Sequence, residues 1–268
     1  MLKKLFAQSN ADFFLSSTTN YDAGKLMKAM NMKQVPSESL NYSYFIILNL
    51  KKFIKFVIKK KKISLPKLFF NIFYFLIKFL LNKKVNYWTK KSYDSHIVRY
   101  NKIDFKFDHF WKKIKNLYKN KLLIQRNQNW LKWHLNDLLK NDKTWIFLKM
   151  KSKKIIGYAI CVEENNYKND LKKAFLIDLI SLDKKKDLSI NLIAACMQEA
   201  KKRNCDVFEF RGFGKREKLC FDFFKPFRKK IEHNPFYYIS NDQKLKKLLN
   251  KESYWFPTYL DGDTIKNF

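Results

Sequence analysis

The stretch LIDLISLDKKKDLSINLIAACMQEAKKRNCDVFEF, Leu176–Phe210, decides how the chain is read. It continues an apolar run, KKAFLIDLISLD over 172–183, with the length and composition of a buried strand. From residue 188 the period changes. Leu188, Leu192, Ala195, Cys196 and Ala200 hold one face of a helix that runs to Asn204, and CDVFEFRGF over 205–213 is again a strand. Between strand and helix stands a lysine-rich turn, Lys184, Lys185 and Lys186, followed by Asp187.

Outward from this unit the same alternation continues. Upstream, TWIFLKM (144–150) and IIGYAICVEE (155–164) are strands separated by the turn-like KSKK. Two helical segments precede them between 105 and 141, the second carrying Trp130, Trp133 and His134. Downstream, 217–241 adds a helix and a strand. Helices, a hairpin, a strand, a helix and a further strand predict a mixed α/β sheet with helices packed on it.

Composition changes most sharply between 51 and 84, which sets a domain boundary there. In 66–81 the polar positions Lys67, Asn71, Tyr74 and Lys78 form a narrow stripe on an otherwise apolar helix. Sixteen residues span only about 24 Å, short of the roughly 30 Å hydrocarbon core, so a full crossing is not expected. Two readings stay open: a helix lying on an anionic membrane surface between Lys59–Lys62 and Lys83–Lys84, or a helix buried between two domains.

A chain of 268 residues, 46% of them hydrophobic, has material for a substantial core. Lys and Arg number 56 against 24 Asp and Glu, a net +32 that suits an anionic partner. Part of that charge also fits the Lys, Asn, Ile, Phe and Tyr usage of AT-rich codons. Cys161, Cys196, Cys205 and Cys220 lack paired spacing and read as reduced structural thiols. With no signal peptide evident in MLKKLFAQSNADFF, a cytoplasmic protein is expected, with peripheral attachment at the inner membrane face as an option.

Close to the start, the stretch Ser17–Pro36 contains a helix that opens at Asn20 and closes near Asn31, with Pro36 barring its continuation. Asn20 is a good N-cap, Ala23, Leu26, Met27 and Met30 share one face, and Asn31 suits the left-handed close. ADFFLSST before it and YSYFIILNL after it read as strands, with no sheet in front of them.

Two places in this order resemble the GNAT superfamily of acyl-CoA-dependent N-acyltransferases. The first is the opening stretch, where Asn20, Ala23, Leu26, Met27, Asn31 and Met32 stand in the places of that family's closing-helix pattern. The second is Leu176–Phe210, which looks like the family's central strand, cofactor loop, helix and next strand. The resemblance implies a mixed, mostly antiparallel sheet with helices on both faces. It divides the chain into the C-terminal remnant of a first GNAT-like unit (1–50), a basic and apolar linker helix (51–84) and a second GNAT-like domain (85–268). The chain then begins inside a domain.

The activity implied is transfer of an acyl group from acetyl-CoA or another acyl-CoA to a small-molecule amine. Splayed central strands would expose backbone to the pantetheine arm, and amides at the helix N-terminus would receive the pyrophosphate. On this resemblance the acyl-CoA-binding residues are Ile180, Leu182, Lys184, Lys185, Lys186, Leu188, Ser189 and Asn20. The chain departs from the family in three places. Neither loop glycine remains, Asp187 brings negative charge towards the pyrophosphate, and Met27 stands where a general-acid tyrosine is common.

Glu209 and Asp178 are carboxylates within strands, where desolvation would raise a pKa towards general-base use; structural pairing, for Glu209 with Arg211, is the alternative. His134 beside Trp133 is structural, catalytic or a residue that stacks on a ligand. His96, His109 and His233 have no partner spacing for a metal. The closing TYLDGDTIKNF resembles GNAT-like proteins of surface-polysaccharide gene clusters, which points to amino-sugar acceptors; Asp261 and Asp263 either hold an acceptor or simply make a turn. A GNAT-fold protein without catalysis, serving as a binding module or scaffold, is the alternative function. Nucleic-acid binding is a second one, resting on charge and on NWLKWHL, with no recognised nucleic-acid motif beside it.

Overall fold

The computed structural model describes residues 11–17, 21–63, 66–85, 96–166, 171–183, 186–231 and 236–262. Its centre is the unit read first from sequence. Strand β7 (Leu171–Ser181) leads through helix α6 (Lys186–Lys202) to β8 (Val207–Phe210), and the two strands run parallel, as a helical crossover requires. Because β7 is covered on both faces, its apolar run is continuous rather than alternating.

The other neighbours in this sheet are antiparallel. Strands β4 (Ile97–Tyr100), β5 (Thr144–Lys151) and β6 (Lys154–Asn166) build out from β7, giving the order β4-β5-β6-β7-β8-β3-β9 with β3 (Tyr42–Ile47) and β9 (Phe227–Lys230). Alternate side chains enter two cores. Trp145, Phe147, Ala159, Cys161, Leu176 and Leu179 meet α6 and α7 (Lys215–Phe221), where Ala194, Ala195 and Ala200 let the crossover helix approach closely. Ile146, Leu148, Tyr158, Ile160, Phe175 and Ile180 meet α4 (Lys106–Leu117) and α5 (Gln128–Lys140) on the opposite face. The fold is thus a mixed, mostly antiparallel sheet with helices on both faces.

Strand β7 carries one irregularity. Opposite β6 the register jumps between Ile160/Asp178 and Cys161/Leu176, so Ile177 is an extra, bulged residue. Ile177 and Asp178 then both point to the α4–α5 side, the first into that core and the second onto Tyr158.

A second sheet has the order β1-β10-β2, from β1 (Phe13–Ser16), β10 (Tyr237–Ser240) and β2 (Lys33–Gln34). Helix α1 (Tyr21–Ala29) joins β1 to β2 and closes at Asn31 in the left-handed region, φ 61°. Its expected face is only partly covered: Ala23, Met27 and Met30 are half-buried, Leu26 is 51% exposed, and Gly24 is the buried position. Asn20 lies outside the described residues.

The two sheets exchange strands. The segment 13–47 runs β1, α1, β2, β3, and the segment 207–240 runs β8, α7, β9, β10 in the same order. Each segment sends its last strand into the other's sheet. Strand β3 sits between β8 and β9, with Tyr44 opposite Phe210 and Arg228, while β10 sits between β1 and β2. The boundary at residue 50 therefore separates elements along the chain but not in space.

Helix α2 (Leu50–Lys60) follows β3 and is capped by the Asn49 side chain on the Lys52 amide. Helix α3 (Lys67–Val85) follows it, and its described apolar side chains are mostly exposed, so the alternative of a helix buried between domains does not hold. Among the described residues no helix is long and apolar enough to cross a membrane.

Candidate functional site

The parallel pairing of β7 and β8 stops at Leu176 and Phe210. Beyond that point β7 runs on to Ser181, bonded to β6 alone, and the chain after β8 turns away through Gly212, whose φ of 77° is open to glycine at little cost. The result is a wedge between the two strands, pointing at the N-terminus of α6.

Several sequence-named residues meet around it. Lys186 and Asp187 open α6 and are exposed. Ser189 is buried, its hydroxyl 3.3 Å from that of Ser181, and Leu188 packs in the α6 core. Leu182 donates its amide to the Ile156 carbonyl at 2.8 Å, and Ile180 faces the α4–α5 core. Lys184, Lys185 and Asn20 lie outside the described residues, as do His233 and Asp263.

The wedge is filled by the chain itself. Residues 255–262 lie across it from one strand to the other. The Tyr259 ring stacks on Phe175 of β7 at 6.4 Å and its hydroxyl takes a hydrogen bond from Arg211 after β8. The Gly214 amide reaches the Pro257 carbonyl at 3.3 Å, and a Cβ on Gly212 would stand 3.1 Å from the Tyr259 backbone. Phe256 and Leu260 pack into the core that holds Ile177 and Ile180. At the mouth, Arg216 bonds the Tyr118 hydroxyl and, at 2.9 Å, the Asp183 carbonyl, while Tyr118 donates to the Ser181 carbonyl at 3.3 Å and packs on Phe256. Every residue from Ile177 to Ser181 is no more than 2% exposed.

A buried ion cluster fastens this segment. Asp178 Oδ2 accepts from Tyr158 Oη at 2.7 Å and from Arg126 Nε at 2.8 Å. Arg126 Nη2 donates to Thr258 Oγ1 at 2.8 Å and pairs with Asp261. Thr258 and Asp261 in turn close a capping box, the Thr258 amide meeting Asp261 at 2.7 Å. Burial opposes the charge on Arg126, but Asp178 and Asp261 outweigh it and hold its pKa above the usual arginine value. Burial beside Asp178 drives the Tyr158 phenol well above its ordinary range, so it stays a donor.

Asp178 is therefore enclosed and paired, not open to an acceptor. Glu209 accepts from Ser43 of β3 at 2.7 Å and lies 3.5 Å from Lys173 and 3.8 Å from Arg211. Neither carboxylate meets the other. Asp261 is a turn residue and an ion-pair partner together. His134 Nδ1 donates to the Trp130 carbonyl, 3.0 Å away, and its ring stacks on that indole, within its own helix. Among the described residues no group of His, Cys, Asp or Glu could hold a metal.

Sequence reasoning passed over Arg126, Tyr118, Arg216 and Glu217. Glu217, on the first turn of α7 behind Gly214, is buried, and burial lifts its pKa to about 7 against the opposing charge of Arg216. Its neighbour in sequence, Arg216, and the GFG run before it were the available signals for a residue at a strand-to-helix turn.

No protein-family model matches the chain, and no curated protein does. Solved structures do. It is similar to an aminoglycoside acetyltransferase from an uncultured soil metagenomic sample, in complex with trehalose, at 20% identity, TM-score 0.37, over 48% of this chain and 84% of that one. It is similar to a predicted acetyltransferase with acetyl-CoA from Clostridium acetobutylicum, at 14% identity, TM-score 0.41, over 51% and 92%. A third is glucosamine-6-phosphate N-acetyltransferase from Arabidopsis thaliana, at 14%, TM-score 0.39, over 51% and 95%. At these values the chemistry rests on this chain's own residues.

Acyl-CoA, which the resemblance implies, needs the β7 edge open to the pantetheine arm and close backbone approach at the α6 N-terminus. With 177–181 covered, and Asp187 and Ser189 where glycines would stand, the residues present do not fit it as the strands stand.

Proposed function

We propose that this chain is a GNAT-like protein that acts as a binding module or scaffold, its acyl-CoA wedge permanently taken up by its own residues 255–262. The observation that carries the reading is the packing of Phe256, Tyr259 and Leu260 against Phe175, Ile177 and Ile180 of β7, with Asp178 tied through Arg126 to Thr258 and Asp261. The experiment is calorimetric titration with acetyl-CoA and with free CoA, repeated at high salt. The expected result is no saturable heat at high salt. Saturable binding that survives salt would overturn the reading.

The matching order of elements in 13–47 and 207–240 supports the further proposal that two related units, each lacking its own closing strand, complete one another.

Glu217 favours a second reading, an N-acyltransferase acting on a small-molecule amine such as an amino sugar of surface polysaccharide. A buried carboxyl at about 7, at the turn following β8, has the affinity a general base needs near neutral pH. That reading requires residues 255–262 to leave the wedge. It predicts acetyl-CoA consumption with glucosamine that Glu217→Gln abolishes; no consumption by the parent protein removes it.

A further inference from the structure

Helix α3 stands apart from both cores. On a helical wheel its partly covered residues Phe70, Tyr74 and Ile77 fall on one side. Tyr74 also belongs to the polar stripe with Asn71 and Lys78. The remaining arc carries Phe69, Ile72, Phe73, Phe75, Leu76, Phe79 and Leu80, each exposed, Phe75 by 65% and Phe79 by 83%. At about 100° per residue these seven cover roughly 160° of the helix. Isolated exposed apolar side chains are ordinary, but seven large ones on one contiguous face mark an interaction surface.

The charge beside this face identifies what covers it. From Leu50 to Val85 the sequence holds eleven lysines and no Asp or Glu. Lys51, Lys55, Lys59, Lys60, Lys61 and Lys62 are exposed on α2 and just beyond it, immediately before α3, and Lys83 and Lys84 stand near its other end. A second copy of the chain would bring two such segments together and be repelled by both. Phosphate headgroups meet the lysines with opposite charge, and the acyl boundary beneath them accepts the phenylalanines.

We propose that α2 and α3 form a docking element for an anionic bilayer surface, with α3 lying in the interface plane. Its apolar arc enters the headgroup and acyl boundary, its polar stripe stays outward, and the exposed lysines of α2 and the turn after it reach lipid phosphates. The reading does not depend on whether the wedge between β7 and β8 binds acyl-CoA.

The test is co-sedimentation of the full chain with phosphatidylcholine vesicles, with and without phosphatidylglycerol. The parent protein is expected to sediment with the anionic vesicles and only weakly with the neutral ones. The double variant Phe75→Asp/Phe79→Asp, at positions too exposed to affect folding, is expected to lower the anionic partition by about tenfold or more. Its circular dichroism should match the parent. Equal sedimentation of parent and variant would overturn the proposal. So would an absence of vesicle binding, whether the parent is monomeric by light scattering or forms a dimer that the variant abolishes.

Discussion

Glu217→Gln tests the energetic description of the wedge directly. Glu217 is buried, and desolvation lifts its carboxyl from the usual 4.5 to about 7. The folded protein therefore holds a proton that the unfolded chain gives up from about pH 4.5 upward. In that window the folded state binds more protons, so stability falls as pH rises, and the fall is complete once pH passes the folded value. At about 1.4 kcal/mol per pH unit, the gap sets a ceiling of about 3 kcal/mol. Glutamine keeps the shape of the protonated acid and cannot ionise. Urea unfolding of parent and variant at about pH 5 should then give midpoints close together, while at about pH 8 the variant should be the more stable by about 2–3 kcal/mol. Because the other titrating groups are common to both proteins, their contribution cancels in the difference. If the two proteins lose the same stability between these pH values, Glu217 is not held protonated by burial, and the second reading of the wedge loses its base as well.

Arg126→Met should cost about 3–5 kcal/mol in urea unfolding, because Asp178 and Asp261 would remain buried without a counter-charge; a loss below about 1 kcal/mol would mean the cluster is wet. Gly212→Ala should cost about 1–3 kcal/mol, since the residue has φ 77° and its new Cβ would press on the Tyr259 backbone, and thermal unfolding without a lower midpoint would show residues 255–262 are not seated there. The calorimetric and vesicle experiments described above complete the set, one reading the wedge and the other α3.

The central unit was legible because its signals are local. The apolar run of β7, the face of α6 and the strand after it are each set by neighbours a few residues apart, and the structure places all three within a residue or two of their expected bounds at most ends. The bulge at Ile177 was not legible, since one extra apolar residue inside an apolar run leaves no mark on composition. Strand β4 was missed for a similar reason: its burial alternates poorly, with Ile97 covered and Val98 and Arg99 exposed. Asp178 was correctly singled out as a carboxylate inside a strand, but its partner comes from a loop, and nothing in the spacing of Arg126 announces that it is one of the largest fully buried side chains. The pairing of Tyr44 with Phe210 depends on segments at opposite ends of the chain, which no periodicity can relate.

That exchange of closing strands holds the two ends of the protein together independently of the peptide that joins them. Lys61, Lys62 and Ile63, between α2 and α3, are exposed, and a protease that nicked the backbone there would cut no strand and no core. The two fragments would remain a heterodimer, each supplying the strand that finishes its partner's sheet. Expressed separately, each would be left with an open gap between two edges, aggregation-prone until mixed with the other. Synthesis on the ribosome faces the same delay: β3 is among the first strands made and among the last to find its place.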